Sequence, residues 1–422
     1  REMREMGRHI EWLLGGLLML LLAGCASDPK EETEPEPKQK PVLTIWLYAP
    51  DRPVVTRGDI GEVDALVAES AVHSLHIWVF EAGTDTHVGH ISLSEPNMEE
   101  VLDDQDTNIV GKKVTMEISD DFAKKLTNDN SDDDKVDIYV AANVTPYNCG
   151  LSLDGSTTRA NLEAALIEHK ADGADYFGVT GLASMTDGVM KVPDSGLPMS
   201  GVLKGQTVGG TSPVFNVMTR VKLVRAVSKI RFIFSKSTSI SNDTHLRVKS
   251  VSLGDNTASV LPKQQYLFLE GSYPDYEKRV KTDGGYEAET NVITDVGFSA
   301  INDCSNLSQY IYDSESMNGQ DYETLINKGL ITQDGQTSPD LSELGRFYLR
   351  ESDKTLRGRI KYTMLDDEEK EATFQMKTAG DFSRNHTWIV YAYFVGTDEL
   401  EVNVVEVKAW NEETSSHSVY NW

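Results

Sequence analysis

Val42-Leu43-Thr44-Ile45-Trp46-Leu47-Tyr48 is a run without a single charge, and most of its residues are β-branched or aromatic. Such side chains suit a pleated strand better than a helix. Leu43, Ile45 and Leu47 share one face at period two. Val42 and Trp46 lie on the other, so the run reads as a strand covered on both sides. Working outward, residues 51–61 form a polar loop, and strand patterns resume at 72–81, where Val72, Ser74, His76, Trp78 and Phe80 alternate on one face. Further strands are expected at 135–143, 221–234, 248–253, 346–349, 359–364, 388–394 and 400–410, separated by clusters of Gly, Asn, Asp and Ser. Many short strands between such turn signals indicate antiparallel β-sandwiches. Helix signals are few. A short turn or helix is expected around Asp120, Phe122 and Leu126. Residues 158–170 form the clearest amphipathic stretch, with Leu162, Ala165, Leu166 and His169 on one face and Thr157 or Thr158 as N-cap. No short internal period points to a solenoid or propeller. The expected fold is therefore all-β, with residues 42–222 and 223–422 forming two antiparallel sandwich domains.

Upstream of this first strand, residues 26–41 are rich in Glu, Pro and Lys and have no apolar period, so they read as a flexible acidic tether. Residues 1–25 read as a secretory signal: Arg8, twelve uncharged, mostly apolar residues from Trp12 to Ala23, then Gly24 and Cys25. That run is too short to span a bilayer, which takes roughly 20 apolar residues. Met6-Gly7-Arg8-His9 reads as a natural start. Leu22-Ala23-Gly24-Cys25 resembles the lipobox of bacterial lipoproteins, in which the chain is cut after the residue at Gly24 and the thiol at Cys25 is lipidated. Acyl chains would then anchor the precursor to the outer membrane, two or more of them being needed for stable attachment.

The chain has 422 residues and a formal net charge of −27. The signal contributes three Arg and three Glu, so removing it leaves that charge unchanged. Such a surface repels nucleic acid, and nucleic-acid binding is excluded. Beyond Cys25 only Cys149 and Cys304 remain. They lie far apart in sequence and read as separate thiols, so stability must come from apolar cores. No GxSxG, HExxH, Walker loop or CxxC pair is present, and nothing supports an enzyme or a cofactor. His73/His76 and His87/His90 are spaced three apart, which on a strand sends the two rings to opposite faces and argues against a metal site. The acidic run 128–134 lacks the Gly and Glu of a calcium loop and reads as a solvated turn.

Five strings, taken with the lipobox, resemble the Bacteroidales fimbrillin family, the subunits of type V pili. They are Asp137-Ile138-Tyr139-Val140-Ala141-Ala142-Asn143; Leu197-Pro198-Met199-Ser200-Gly201, similar to that family's Pro-Met-Ser-Gly turn; Leu223-Val224-Arg225-Ala226-Val227-Ser228-Lys229-Ile230; Phe347-Tyr348-Leu349-Arg350-Glu351-Ser352; and Arg384-Asn385-His386-Thr387-Trp388. Read locally, Pro-Met-Ser-Gly is a turn, and Arg225 and Lys229 are solvated residues on one strand face. The resemblance implies two transthyretin-like sandwiches and polymerisation by donor-strand exchange after an arginine-specific surface protease trims the N-terminus. Ser27-Asp28-Pro29-Lys30-Glu31-Glu32 further resembles an acidic signal that sends such lipoproteins to the outer face.

Within this frame Arg57-Gly58 is the expected processing bond, because Arg52 is followed by Pro53, which hinders cleavage. The displaced strand would carry Leu43, Ile45 and Leu47. The candidate donor is the C-terminal segment of a neighbour: Leu400, Val402 and Val404 alternate, and Val405, Val407 and Ala409 continue after a one-residue shift that suggests a bulge. Partners would be other pilus subunits in a homo- or hetero-polymer, with the surface ligand left open. Two alternatives share the lipobox and the β-domains: a non-cleaved pilus anchor, and a surface glycan-binding lipoprotein. The latter should expose a flat aromatic cluster, whereas Trp46, Trp78, Trp388 and Trp410 sit in strand patterns and only Trp422 stands apart. Replacing Cys25 with Ser is expected to abolish incorporation of labelled fatty acid into the protein while leaving its fold unchanged.

Overall fold

A computed structural model describes residues 39–48, 67–102, 109–127, 135–145, 149–168, 192, 195–237, 240–241, 246–253, 261–269, 279–286, 290–294, 309–310, 342–364, 368–375, 383–385, 387–394 and 400–407. The chain enters through β1 (Val42–Tyr48), followed by β2 (Ser74–Glu81), β3 (His87–Ser94), β4 (Met98–Leu102), β5 (Ile109–Glu117), β6 (Lys135–Ala142), β7 (Leu166–Glu168), β8 (Met199–Thr207), β9 (Gly209–Thr211), β10 (Val214–Lys222) and β11 (Val224–Arg225). The second half holds β12 (Ser228–Ser237), β13 (Leu246–Leu253), β14 (Gln264–Tyr266), β15 (Thr290–Thr294), β16 (Gln309–Tyr310), β17 (Ser342–Leu349), β18 (Arg357–Met364), β19 (Glu368–Gln375), β20 (Thr387–Phe394) and β21 (Leu400–Val407).

The fold is all-β. Two five-stranded sheets, β4-β5-β1-β10-β9 and β11-β8-β6-β2-β3, face each other. Leu43, Ile45 and Leu47 of β1 meet Leu75, Ile77 and Val79 of β2 in the core between them. In the second half, β16-β12-β20-β21, with β17 also paired to β12, packs on β15-β13-β18-β19. Phe232 meets Phe374 edge-on across this gap at 6.1 Å, and Tyr362 meets Phe394 at 5.5 Å. The ladders are antiparallel except for β1–β10, β12–β20 and β12–β16, which are parallel. A second core on the far face of β2 and β6 gathers Trp78, Phe80 and Tyr139 with Ala226, Leu267 and Tyr348, so it joins the two halves. A two-stranded ribbon of β7 and β14 also bridges them.

Several local expectations are corrected. The 158–170 helix is only the turn Arg159–Glu163, closed by a capping box in which Thr158 and Asn161 bond reciprocally. Leu166–Glu168 leave it to pair with Gln264–Tyr266, burying Ile167, so tertiary pairing overrides the helical period. His169 and Lys170 lie outside the described residues. The short helix Asp120–Leu126 forms, with the Ser119 side chain accepting from the Phe122 N–H. The 221–234 stretch is not one strand: β10 ends at Lys222, and β11 and β12 follow as separate strands. Met199-Ser200-Gly201 opens β8 rather than forming a turn. The positive φ belongs to Gly196, at 77°, just before it.

Gly201 is demanded instead by close approach, since a Cβ there would overlap the Lys222 carbonyl and the Val221 side chain. Backbone cannot yield as a side-chain tip can. Gly201→Ala is therefore expected to destabilise the protein by about 1–3 kcal/mol, read as a lowered urea midpoint at unchanged slope.

Candidate functional site

β1 is the central strand of its sheet, though it stands at the start of the described fold. It pairs antiparallel with β5, from Val42 opposite Glu117 to Leu47 opposite Lys112. It pairs parallel with β10, with an irregularity in β10 between the partners of Ile45 and Leu47. Its near end is fixed by Val42 N–H donating to Pro213 O at 2.8 Å and Ile118 N–H donating to Pro41 O at 2.9 Å. Leu43, Ile45 and Leu47 are at most 1% exposed. Burying each contributes about 1.5–3 kcal/mol. The opposite face is only half-buried, which corrects the expectation of cover on both sides. There Thr44 and Thr115 hydroxyls meet at 2.9 Å, and the Arg220 guanidinium lies 5.8 Å from the Trp46 ring centre. Trp78 and Trp388 are buried, so of the described tryptophans only Trp46 reaches the surface.

The other proposed residues are placed unevenly. Gly24, Cys25, Arg57, Gly58 and Ala409 lie outside the described residues, as do Cys304 and Trp410. Leu400, Val402, Val404, Val405 and Val407 belong to β21, an end strand of its sheet paired with β20. That ladder runs without a register shift, Val404 opposite Val390 and Val405 opposite Ile389, so the expected bulge is absent. Cys149 is buried at 5% exposure.

The family-like strings meet in a buried polar network. Glu69, in the 3-10 turn Val67–Ser70, is fully buried, as are Arg225 and Lys229, which corrects the solvated reading of those two cations. Lys229 Nζ lies 3.1 and 3.2 Å from the two Glu69 carboxylate oxygens, and Tyr348 donates to the same group. Arg225 donates to the Glu69 carbonyl at 2.7 Å, to Ser70 Oγ at 2.7 Å and to Asn385 Oδ1 at 3.1 Å. Asn143, in the left-handed region at φ 58°, donates to Ala71 O and Leu197 O and accepts from the His73 and Ser74 N–H groups. A second node forms on Glu351, held by Arg384 at 2.6 Å and Arg279 at 3.2 Å. In these two nodes each buried charge has a partner, as burial requires.

The histidines also differ from expectation. Members of one pair do diverge, but one from each pair meets across the β2–β3 ladder: His76 Nδ1 lies 3.4 Å from His90 Nε2. The ring centres are 5.6 Å apart and the planes nearly parallel, 12° apart. Only diagonal neighbours on facing strands produce this meeting, which single-strand spacing could not reveal. Among the described residues no group of three or more His, Cys, Asp or Glu side chains is arranged to hold a metal ion. No described helix is long and apolar enough to cross a membrane.

No family model and no curated protein matches the chain. Its structural neighbours are fimbrial and cell-adhesion proteins of Bacteroidales. A candidate cell adhesion protein from Parabacteroides distasonis has a TM-score of 0.45 at 13% identity, covering 88% of this chain and 98% of its own. The tip fimbrial protein Mfa3 from Porphyromonas gingivalis has a TM-score of 0.42 at 13% identity, covering 87% and 99%. A fimbrilin, FimA, from Porphyromonas gingivalis W83 has a TM-score of 0.39 at 11% identity, covering 88% and 99%.

Burial, followed by the neighbouring His76 and His87, pushes the His90 pKa down from 6.5 to about 4, against a small opposing pull from Asp154. Burial lowers His76 and His87 too. A depressed histidine pKa means that the unfolded chain binds more protons in that window. The stability contribution is therefore complete above pH 6.5 and is lost as pH falls toward 4. His90→Phe is expected to flatten this fall, measured as urea midpoints at neutral pH and near the lower limit.

Proposed function

We propose that this chain is a fimbrillin-type structural subunit of a cell-surface pilus, exported as a lipoprotein and polymerised by donor-strand exchange. The observation that carries this reading is the position of β1. It fills the middle of a sheet and supplies core side chains, yet among the described elements it is the first, and residues 49–66 carry the chain from it to the rest. A cut at Arg57-Gly58 would sever that link. Departure of β1 would leave unpaired N–H and C=O groups on β5 and β10 and empty the places of Leu43, Ile45 and Leu47. An open slot of this kind recruits a strand.

The incoming strand is the C-terminal segment of a neighbouring subunit, which in the isolated chain is parked as β21. Val405, Val407 and Ala409 repeat the period-two spacing of Leu43, Ile45 and Leu47. Leaving β20 breaks one ladder, whereas insertion between β5 and β10 forms two. Residues 42–222 act as the acceptor domain and 223–422 as the donor domain. Before processing, acyl chains on Cys25 tether the precursor to the outer membrane. The partners are other subunits and an arginine-specific surface protease, and the finished fimbrium serves adhesion.

Deletion of residues 405–422 tests the exchange. Treated with an arginine-specific protease and mixed with intact treated protein, the truncated chain is expected to cap growing polymers but to form none alone. Homopolymers of the truncated chain, seen by size-exclusion chromatography, would refute the C-terminal donor. An uncut loop under native conditions, with distant arginines cleaved, would refute the Arg57 site.

A further inference from the structure

We infer that the buried network around Glu69 is a clamp that limits what the proteolytic cut can release to β1. This deepens the strand-release reading and rests on it. The segment 67–73 is the first described chain after the 49–66 connection, and it forms no ladder of its own. Successive residues are held by side chains instead. Glu69 is held through its carboxylate by Lys229 and Tyr348 and through its carbonyl by Arg225. Ser70 is held by Arg225, Ala71 by Asn143, and His73 with Ser74 again by Asn143. Arg225, Lys229, Tyr348 and Asn385 all lie beyond residue 222, so the start of the trimmed chain is fastened to the second half of the fold.

This arrangement answers a mechanical problem. β2 lies between β6 and β3, and its first residue, Ser74, follows the clamped segment directly. A cut in the 49–66 connection leaves a loose end on that side. Without an anchor, fraying would run straight into β2 and dismantle the second sheet along with the slot. A carboxylate with no exposed surface, bonded by Lys229 and Tyr348, stops fraying at a defined residue. It also makes the second half part of the acceptor, because the first half's new terminus is bonded to it.

The test uses the full chain with a specific protease site placed in the 49–66 connection, so that it does not depend on Arg57. After the cut, the new end is trimmed with a processive aminopeptidase and the terminus is read by mass spectrometry. Wild-type trimming is expected to stop before Glu69. Lys229→Met is expected to let it pass Glu69 into β2, with the 69–74 step faster by roughly tenfold or more. Glu69→Gln and Tyr348→Phe keep side-chain size and give smaller increases in the same step. They carry the comparison if Lys229→Met fails to fold, as judged by near-UV circular dichroism before the cut. Identical stopping points in wild type and variants, or wild-type trimming beyond Ser74, would overturn the clamp. Retention of β1 after the cut would overturn the strand-release reading instead, while the trimming comparison still reads the clamp.

Discussion

A strand in the middle of a sheet satisfies backbone groups on both sides, and that constraint governs the first half of this protein. β5 and β10 do not touch each other; each completes its hydrogen bonding on β1. A buried polar group left without a partner costs about 1–3 kcal/mol, so the slot between them cannot stay empty once it is formed. The second half uses the same arrangement. β12 lies between an antiparallel partner, β17, and a parallel partner, β20, as β1 lies between β5 and β10. The difference is covalent. β12 follows β11 and precedes β13, whereas among the described residues no strand precedes β1. Under the proposed function, the equivalent positions would be a fixed strand in the second half and an exchangeable one in the first.

The interior of this protein holds several buried charges. Glu69, Arg225, Lys229, Glu351 and Arg384 are at most 1% exposed. Removing one partner of such a pair strands the other charge and costs about 3–5 kcal/mol. Apolar replacements of both could pack as well, so stability alone does not explain these residues. Their placement does, because they join the turn before β2 to strands of the second half, and join Glu351 to the carbonyl groups of Tyr266 and Leu267 through Arg384. Directional contacts fix the relation of the halves where apolar packing alone would allow sliding.

Much of the strand pattern was legible because β-branched and aromatic residues alternate where one sheet face is buried. The 72–81, 135–143 and 388–394 readings correspond to β2, β6 and β20, and Thr158 caps its helix as its side chain suggests. The failures are tertiary. Ile167 leaves a helical pattern because β14 offers it a ladder and a buried site. Lys229 looks solvated in sequence because its anion, Glu69, lies 160 residues away, and Arg225 does because its acceptors, the Glu69 carbonyl and Ser70 Oγ, are as distant. His76 and His90 meet only through the β2–β3 register. The partly open outer face of β1 was also invisible, since Trp46 beside Arg220 reads in sequence like any core tryptophan.

If β1 is a replaceable strand in an otherwise persistent fold, its two neighbours must lose their partner on cleavage. Hydrogen exchange at the β5 and β10 amides that face β1, measured before and after cleavage within residues 49–66, tests it most directly. Protection there is expected to fall on cleavage and to return when subunits with an intact C-terminus assemble, while β6 and β12 stay protected throughout. Unchanged protection in β5 and β10 with β1 still bound, or loss of protection across the whole first half, would contradict it.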